Sequence, residues 1–109
     1  MPIDRFDLAA CFAPDPSGPS RRLLVKEPGL TMLHLTMAPG QAMPVHNRPG
    51  CNVAIQGLEG EATVWLDGEE HALRAQELVR FSGERMVSPR NTWGGPAAVL
   101  ITLATLPGA

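Results

Sequence analysis

The chain has 109 residues, 44% of them hydrophobic, and its 9 basic and 11 acidic residues give a formal net charge of −2. That length suits one domain with one core, and the lack of a basic cluster argues against nucleic acid as a partner. No apolar run approaches the roughly 20 residues that span a bilayer. Cys11 and Cys51 lie far apart and no secretory leader is evident, so we expect a cytoplasmic protein with reduced thiols and no membrane partner.

Residues 1–20 are predicted to form an N-terminal arm, and residues 21–109 a single folded domain. The arm carries a short apolar patch at Phe6, Leu8 and Phe12, followed by a loop rich in proline. We expect the arm to pack against the body of the protein or against a partner.

Beyond the arm, prolines and glycines divide the chain into short segments with the composition of β-strands. Apolar and polar residues alternate from Leu33 to Met37, which is typical of a strand with one buried face. Asp67-Gly68 predicts a tight hairpin turn, because both positions of that turn favour positive φ. The predicted strands span residues 21–26, 30–38, 51–58, 61–66, 69–73, 77–81, 85–88 and 97–106.

The folded domain has no convincing helical period, so these strands predict an all-β barrel or sandwich. Gly40, His46 and Gly60 are spaced like the glycines and first histidine of the first cupin motif. Residues 21–106 therefore resemble a small single-domain cupin with a type-2 cupin barrel. The resemblance implies an all-β jelly-roll barrel, also called a double-stranded β-helix or RmlC-like fold, and a homodimer.

The metal-binding motifs of the family are degenerate in this chain. A metal-dependent cupin holds its ion with three histidines and one glutamate. Of the second cupin motif this chain keeps only the glycine, Gly83, and Asn91 lies one residue past the position of the expected asparagine. The four ligand positions match His46, Arg48, Val53 and Met86. The arginine cannot ligate a cation, the valine has no lone pair and the thioether of the methionine is a soft ligand. We therefore expect no metal cofactor.

These positions are predicted to line a ligand pocket inside the barrel. Arg48 could point inward towards an anionic ligand, or turn to water and pair with an acid such as Glu84. His34 is expected to face either solvent or the barrel interior, and Trp65 either the interior or a subunit interface. The predicted pocket residues are His46, Arg48, Val53, Met86 and Trp65.

Three functions remain open, and no catalytic residue is identified. The first is a module that binds a small, largely apolar and in part anionic molecule inside the barrel without a metal. The second is an enzyme of the dioxygenase or isomerase type, with one divalent iron, manganese, nickel or zinc ion held by His46 together with Cys51 or His34. The third is a barrel filled by its own side chains, which a structure without a cavity beside His46 would favour.

Overall fold

The computed structural model describes residues 2–108 and consists almost entirely of β-strands. The one helical element in that range is a single 3-10 turn in the arm, Ala9–Cys11, so no helix there is long and apolar enough to cross a membrane. Numbered in chain order, the strands are β1 (Ser20–Glu27), β2 (Leu30–Met37), β3 (Cys51–Glu59), β4 (Glu61–Leu66), β5 (Glu69–Arg74), β6 (Leu78–Ser82), β7 (Val87–Arg90) and β8 (Ala97–Thr105).

All eight predicted strands are present, and their ends differ from the prediction by two residues at most. The β4–β5 hairpin turns where expected, with φ of 48° at Asp67 and 88° at Gly68. Because both values lie in the left-handed region that aspartate and glycine tolerate, the turn suits the twist of the two strands. The prediction of an all-β fold is confirmed.

The strands form two antiparallel sheets. The larger has the order β1-β2-β8-β3-β6, and the smaller has the order β5-β4-β7. The segment between β2 and β3 extends the smaller sheet, because bridges join Ala42 to Arg90 and His46 to Val87 along β7. Buried residues from both sheets form one hydrophobic cluster, so the sheets face each other as the walls of a barrel.

The barrel is packed at one end and open at the other. At the packed end Met37, Ala97 and Val99 are almost completely buried and belong to one hydrophobic cluster with residues of β4 and β5. At the opposite end of the same two strands, β2 and β8, the side chains of Leu33 and Leu103 are only half-buried. This asymmetry leaves room inside the barrel at one end.

His34 lies on the outer face of the larger sheet, because its neighbours Leu33 and Leu35 point into the barrel. It is nevertheless only 1% exposed. The N-terminal arm is attached to the same face, where the backbone N–H of Ala13 donates to Thr36 Oγ1 over 3.3 Å. His34 therefore faces neither solvent nor the barrel interior, and both expectations for it were wrong.

Burial lowers the pKa of His34; nearby Glu59 opposes this shift and Arg22 adds to it. Among residues 2–108, Nδ1 of the ring has no hydrogen-bond partner. A protonated ring would place a charge in this buried position, and the attraction of Glu59 offsets the lost hydration only in part, so burial favours the neutral imidazole.

We expect the free energy of unfolding to fall as the pH is lowered from about 7.5 to about 5. Unfolded His34 takes up a proton near its usual pKa, whereas folded His34 does so only at lower pH. The unfolded chain therefore binds more protons in this window and becomes relatively more stable. Urea unfolding at several pH values, followed by tryptophan fluorescence, measures the effect.

His34→Gln should flatten this pH dependence, and His71→Gln, at an exposed histidine, should leave it unchanged. Comparing the variants removes the contribution of the carboxylates, which is common to all of them. Equal slopes in the wild-type protein and His34→Gln would contradict the role given to His34.

Candidate functional site

A cavity of about 230 Å³ occupies the open end of the barrel, and His46 lines it. The walls are apolar side chains from both sheets, whereas the polar side chains are three arginines and one histidine. A cavity at this place argues against a barrel filled by its own side chains. The lining comprises Arg21, Leu33, Leu35, Met43, Pro44, His46, Arg48, Val53, Ile55, Phe81, Gly83, Arg85, Val87, Pro89, Ile101 and Leu103.

The segment between β2 and β3 carries His46 and Arg48 to this opening. His46 and Val87 exchange two backbone hydrogen bonds of 3.1 and 2.8 Å, and the Arg48 N–H donates to the Gly83 carbonyl over 2.7 Å. Because side chains two residues apart on extended backbone share a face, both residues line the cavity. The position of this segment is thus set by backbone hydrogen bonds to β7 and to the turn before it.

The His46 ring is oriented by a backbone carbonyl. Its Nδ1 lies 2.9 Å from the carbonyl oxygen of Pro44, and a carbonyl oxygen only accepts hydrogen bonds. Nδ1 therefore carries a proton, which in the neutral ring leaves the lone pair on Nε2. His46 can offer a ligand either an acceptor in its neutral form or a donor when protonated.

Three of the five predicted pocket residues line the cavity: His46, Arg48 and Val53. Arg48 was expected either to point into the barrel or to turn to water. Its side chain does something of both, because it borders the cavity and is also exposed. Glu84 instead accepts a hydrogen bond of 3.2 Å from the Gly50 N–H. Within residues 2–108, no salt bridge joins Arg48 to Glu84.

Met86 was predicted to line the pocket, but it lies outside the cavity lining and is 38% exposed. The reason is its pairing with the β4–β5 turn: its N–H donates to Asp67 Oδ1 over 2.9 Å, and its carbonyl accepts from the Asp67 N–H over 2.9 Å. The same carboxylate accepts a 2.7 Å bond from Arg85. The bond from Arg85 and the bond from the Met86 N–H lower the pKa of Asp67, which stays ionised.

Val87 occupies the inward position that had been assigned to Met86. It is 5% exposed, lines the cavity and lies opposite His46. Asn91 is the better reference for this position, because its side chain is buried and donates to the carbonyls of Met37 and Gly95 over 2.9 Å each. When the motif spacing is counted back from Asn91, the position of the motif histidine falls on Val87; counted forward from Gly83, it falls on Met86. The turn before β7 is therefore one residue longer than in the motif.

Trp65 was also predicted to line the pocket, and it lies on the other side of the smaller sheet. Its neighbours Val64 and Leu66 are buried in the core, so alternation along β4 turns Trp65 outward. The guanidinium of Arg90 lies 5.0 Å from the centre of its ring, in a cation–π contact. Whether Trp65 contributes to a subunit interface stays a prediction.

The donors around His46 do not fit a divalent metal. Among residues 2–108, no three His, Cys, Asp or Glu side chains are grouped so that they could hold an ion. The sulfur of Cys51 lies 4.0 Å from Thr105 Oγ1, and His34 is on the outside of the larger sheet. One imidazole among apolar side chains falls short of the ligand set that iron, manganese, nickel or zinc requires.

Sequence reasoning missed two of the three arginines at the site, Arg21 and Arg85. Arg21 pairs with Leu35 in the β1–β2 ladder and so shares its inward face. The run RRLLVK has no alternation that would distinguish Arg21 from Arg22, and β1 is irregular between Leu23 and Val25. Arg85 lies in a turn, where periodicity says nothing about side-chain direction.

The fold and the site together define a class, the small double-stranded β-helix barrel. Within it, the chain belongs to the cupin family, because the model of the Cupin domain matches residues 33–103. Sequence comparison with curated proteins finds no match.

Solved structures of similar proteins support the same assignment of the fold. A protein of Thermus thermophilus has a TM-score of 0.87 and 24% identity, covering 96% of this chain and 100% of that chain. An RmlC-like cupin protein of Desulfovibrio desulfuricans has a TM-score of 0.85 and 20% identity, with 94% and 96% covered. A predicted oxalate decarboxylase of Thermotoga maritima has a TM-score of 0.74 and 18% identity, with 81% of each chain covered. The homodimer and the cytoplasmic location stay predictions.

Replacing Gly83 with alanine should destabilise the protein and disturb the mouth of the cavity. A Cβ atom there would meet the carbonyl oxygen of Arg48 and lie 2.7 Å from that of Cys51, and neither backbone atom can move freely. We expect a loss of about 1–3 kcal/mol in the free energy of unfolding, as for other overpacked sites. Gly18→Ala is the matched control, since nothing lies within 4 Å of a Cβ there. Equal stability of the two variants in urea unfolding would show that this close approach is unimportant.

Proposed function

We propose that this cupin-domain protein binds a small organic molecule inside its barrel without a catalytic metal. The observation that carries the proposal is the cavity of about 230 Å³ at the open end, with apolar walls and convergent polar side chains. Concave, mainly apolar sites with a few polar groups are typical of small-molecule binding.

The apolar lining explains why a ligand would enter. Water in the deeper part of the cavity finds few polar partners beside Leu35, Ile55 and Ile101. An apolar group that displaces this water gains by leaving its own aqueous surroundings, in proportion to the area it buries. The polar groups then select among apolar ligands by orienting them.

The side chains around His46 favour binding over metal chemistry. Arg48, Val53 and Val87 surround the single imidazole, and none of them can donate an electron pair to a metal ion at neutral pH. Reaction types that depend on a divalent ion therefore receive no support from these residues. We propose a role in binding or sensing of the ligand.

The protein should bind the neutral fluorophore N-phenylnaphthylamine, whose emission rises in apolar surroundings, and Leu103→Trp should weaken that binding about tenfold or more. Leu103 lines the cavity from β8, so a larger side chain there fills the space the probe would use. Leu78→Trp, a change at a 64% exposed leucine outside the cavity lining, is the control. A fluorescence titration measures both variants.

Absence of binding to the wild-type protein would overturn the proposed function, as would equal binding to Leu103→Trp and the control. Elemental analysis of protein purified without an affinity tag tests the metal-free part. Near-stoichiometric iron, manganese, nickel or zinc that disappears in His46→Ala would favour the enzyme instead.

A further inference from the structure

We propose that the ligand carries an oxyanion head group, a carboxylate or a phosphate ester, held between Arg21 and Arg48, with its apolar body directed into the barrel. This inference rests on the proposed function, because it specifies the chemistry of the molecule that occupies the cavity. It adds the charge of the ligand, its orientation and the two residues that recognise it.

Arg21 and Arg48 come from separate parts of the chain and meet at the same opening. Arg21 is in β1, at the edge of the larger sheet, and Arg48 is in the segment that extends the smaller sheet. Both line the cavity, and both also line a groove that continues from it over Leu33 and Leu103 to Lys26. Arg21 and Arg48 therefore flank the passage from the surface into the barrel.

Within residues 2–108, no salt bridge joins a carboxylate to Arg21 or to Arg48. Among residues 2–108, the salt bridges of arginine are Arg74 with Glu61 and Arg85 with Asp67. Neither the cavity nor the groove has an Asp or Glu in its described lining. Although the whole chain has a net charge of −2, its described residues thus place positive charge without a paired carboxylate at the cavity mouth.

Guanidinium groups suit oxyanions, because their planar N–H donors match the geometry of carboxylate and phosphate oxygens. An anion between Arg21 and Arg48 would also be attracted by both positive charges. Both arginines are exposed, so water screens the attraction between each guanidinium and the anion, and each of the two arginines contributes modestly to the affinity. Selectivity for an anion is therefore shared between them.

The interior restricts the rest of the molecule. Behind the arginines the cavity is walled by Leu33, Leu35, Ile101 and Leu103, which offer no hydrogen bonds. A ligand that is polar throughout would lose its hydration there without replacement. An amphipathic anion keeps its charge at the mouth in partial contact with water and buries only its apolar part.

The experiment compares three molecules with the same tail, octanoate, octyl phosphate and octanol, as competitors of N-phenylnaphthylamine. At least one of the two anions should displace the fluorophore from the wild-type protein at about tenfold lower concentration than octanol. Arg48→Gln and Arg21→Gln should each weaken that anion about fivefold, and the double variant more, while octanol is unaffected. Arg22→Gln is the matched control, since it removes the same charge from the neighbouring residue on the opposite face of β1.

The outcomes separate this inference from the proposed function. If N-phenylnaphthylamine binds and octanol displaces it as well as both anions do, the inference is overturned and the proposed function stands. A loss of anion binding in Arg22→Gln equal to that in Arg48→Gln would overturn it too, because the effect would then be one of net charge. If the fluorophore does not bind, both proposals fail together.

Discussion

The backbone pairing of the segment before β3 with β7 is the interaction on which the site depends. Through its reciprocal hydrogen bonds with Val87, His46 is held in extended backbone against the smaller sheet, and Arg48 is held by one bond from its N–H to the Gly83 carbonyl. None of these bonds involves a side chain, so the residues that face the cavity can vary without loss of the segment's position. This explains how a cupin barrel can retain its architecture whichever side chains this segment presents to the cavity. The Gly83 position is the exception, because the backbone of Arg48 and Cys51 approaches it too closely for a side chain.

Once that frame is in place, the chemistry of the site follows from which side chains it presents. An imidazole opposite valine, with an arginine two residues away, does not make up the ligand set of a divalent ion, and it lies in an apolar cavity with arginines at its opening. The packed end of the barrel supplies stability through Met37, Val99 and their neighbours, while the open end gives up some burial at Leu33 and Leu103. Tight packing and the cavity are thus found at opposite ends of the same strands.

Much of the fold could be predicted from the sequence, because most strands are alternating or continuous apolar runs and most turns contain a glycine or a proline. The site was harder to predict. Motif spacing correctly predicts that His46, Arg48 and Val53 line the cavity. Met86 was misplaced, because one extra residue in the turn before β7 reverses the direction of the side chain that follows. A turn has no periodicity from which that extra residue could be recognised. Trp65 was ambiguous because it shares a face with Thr63, and which face of a sheet is inward depends on the whole core. Arg21 could not be separated from Arg22, as only the register of β1 against β2 decides which of them points inward.

The ion pair between Arg85 and Asp67 has an evolutionary consequence. Arg85 lines the cavity, and its charge is neutralised by Asp67, which lies outside the cavity lining and forms the β4–β5 turn. Asparagine tolerates the same positive φ as aspartate, so it could replace Asp67 in that turn and leave Arg85 without its counter-charge. The net charge at the cavity mouth can therefore change by one unit through a substitution that alters no wall residue. Relatives with one barrel shape could in this way diverge in the charge of the molecules they select.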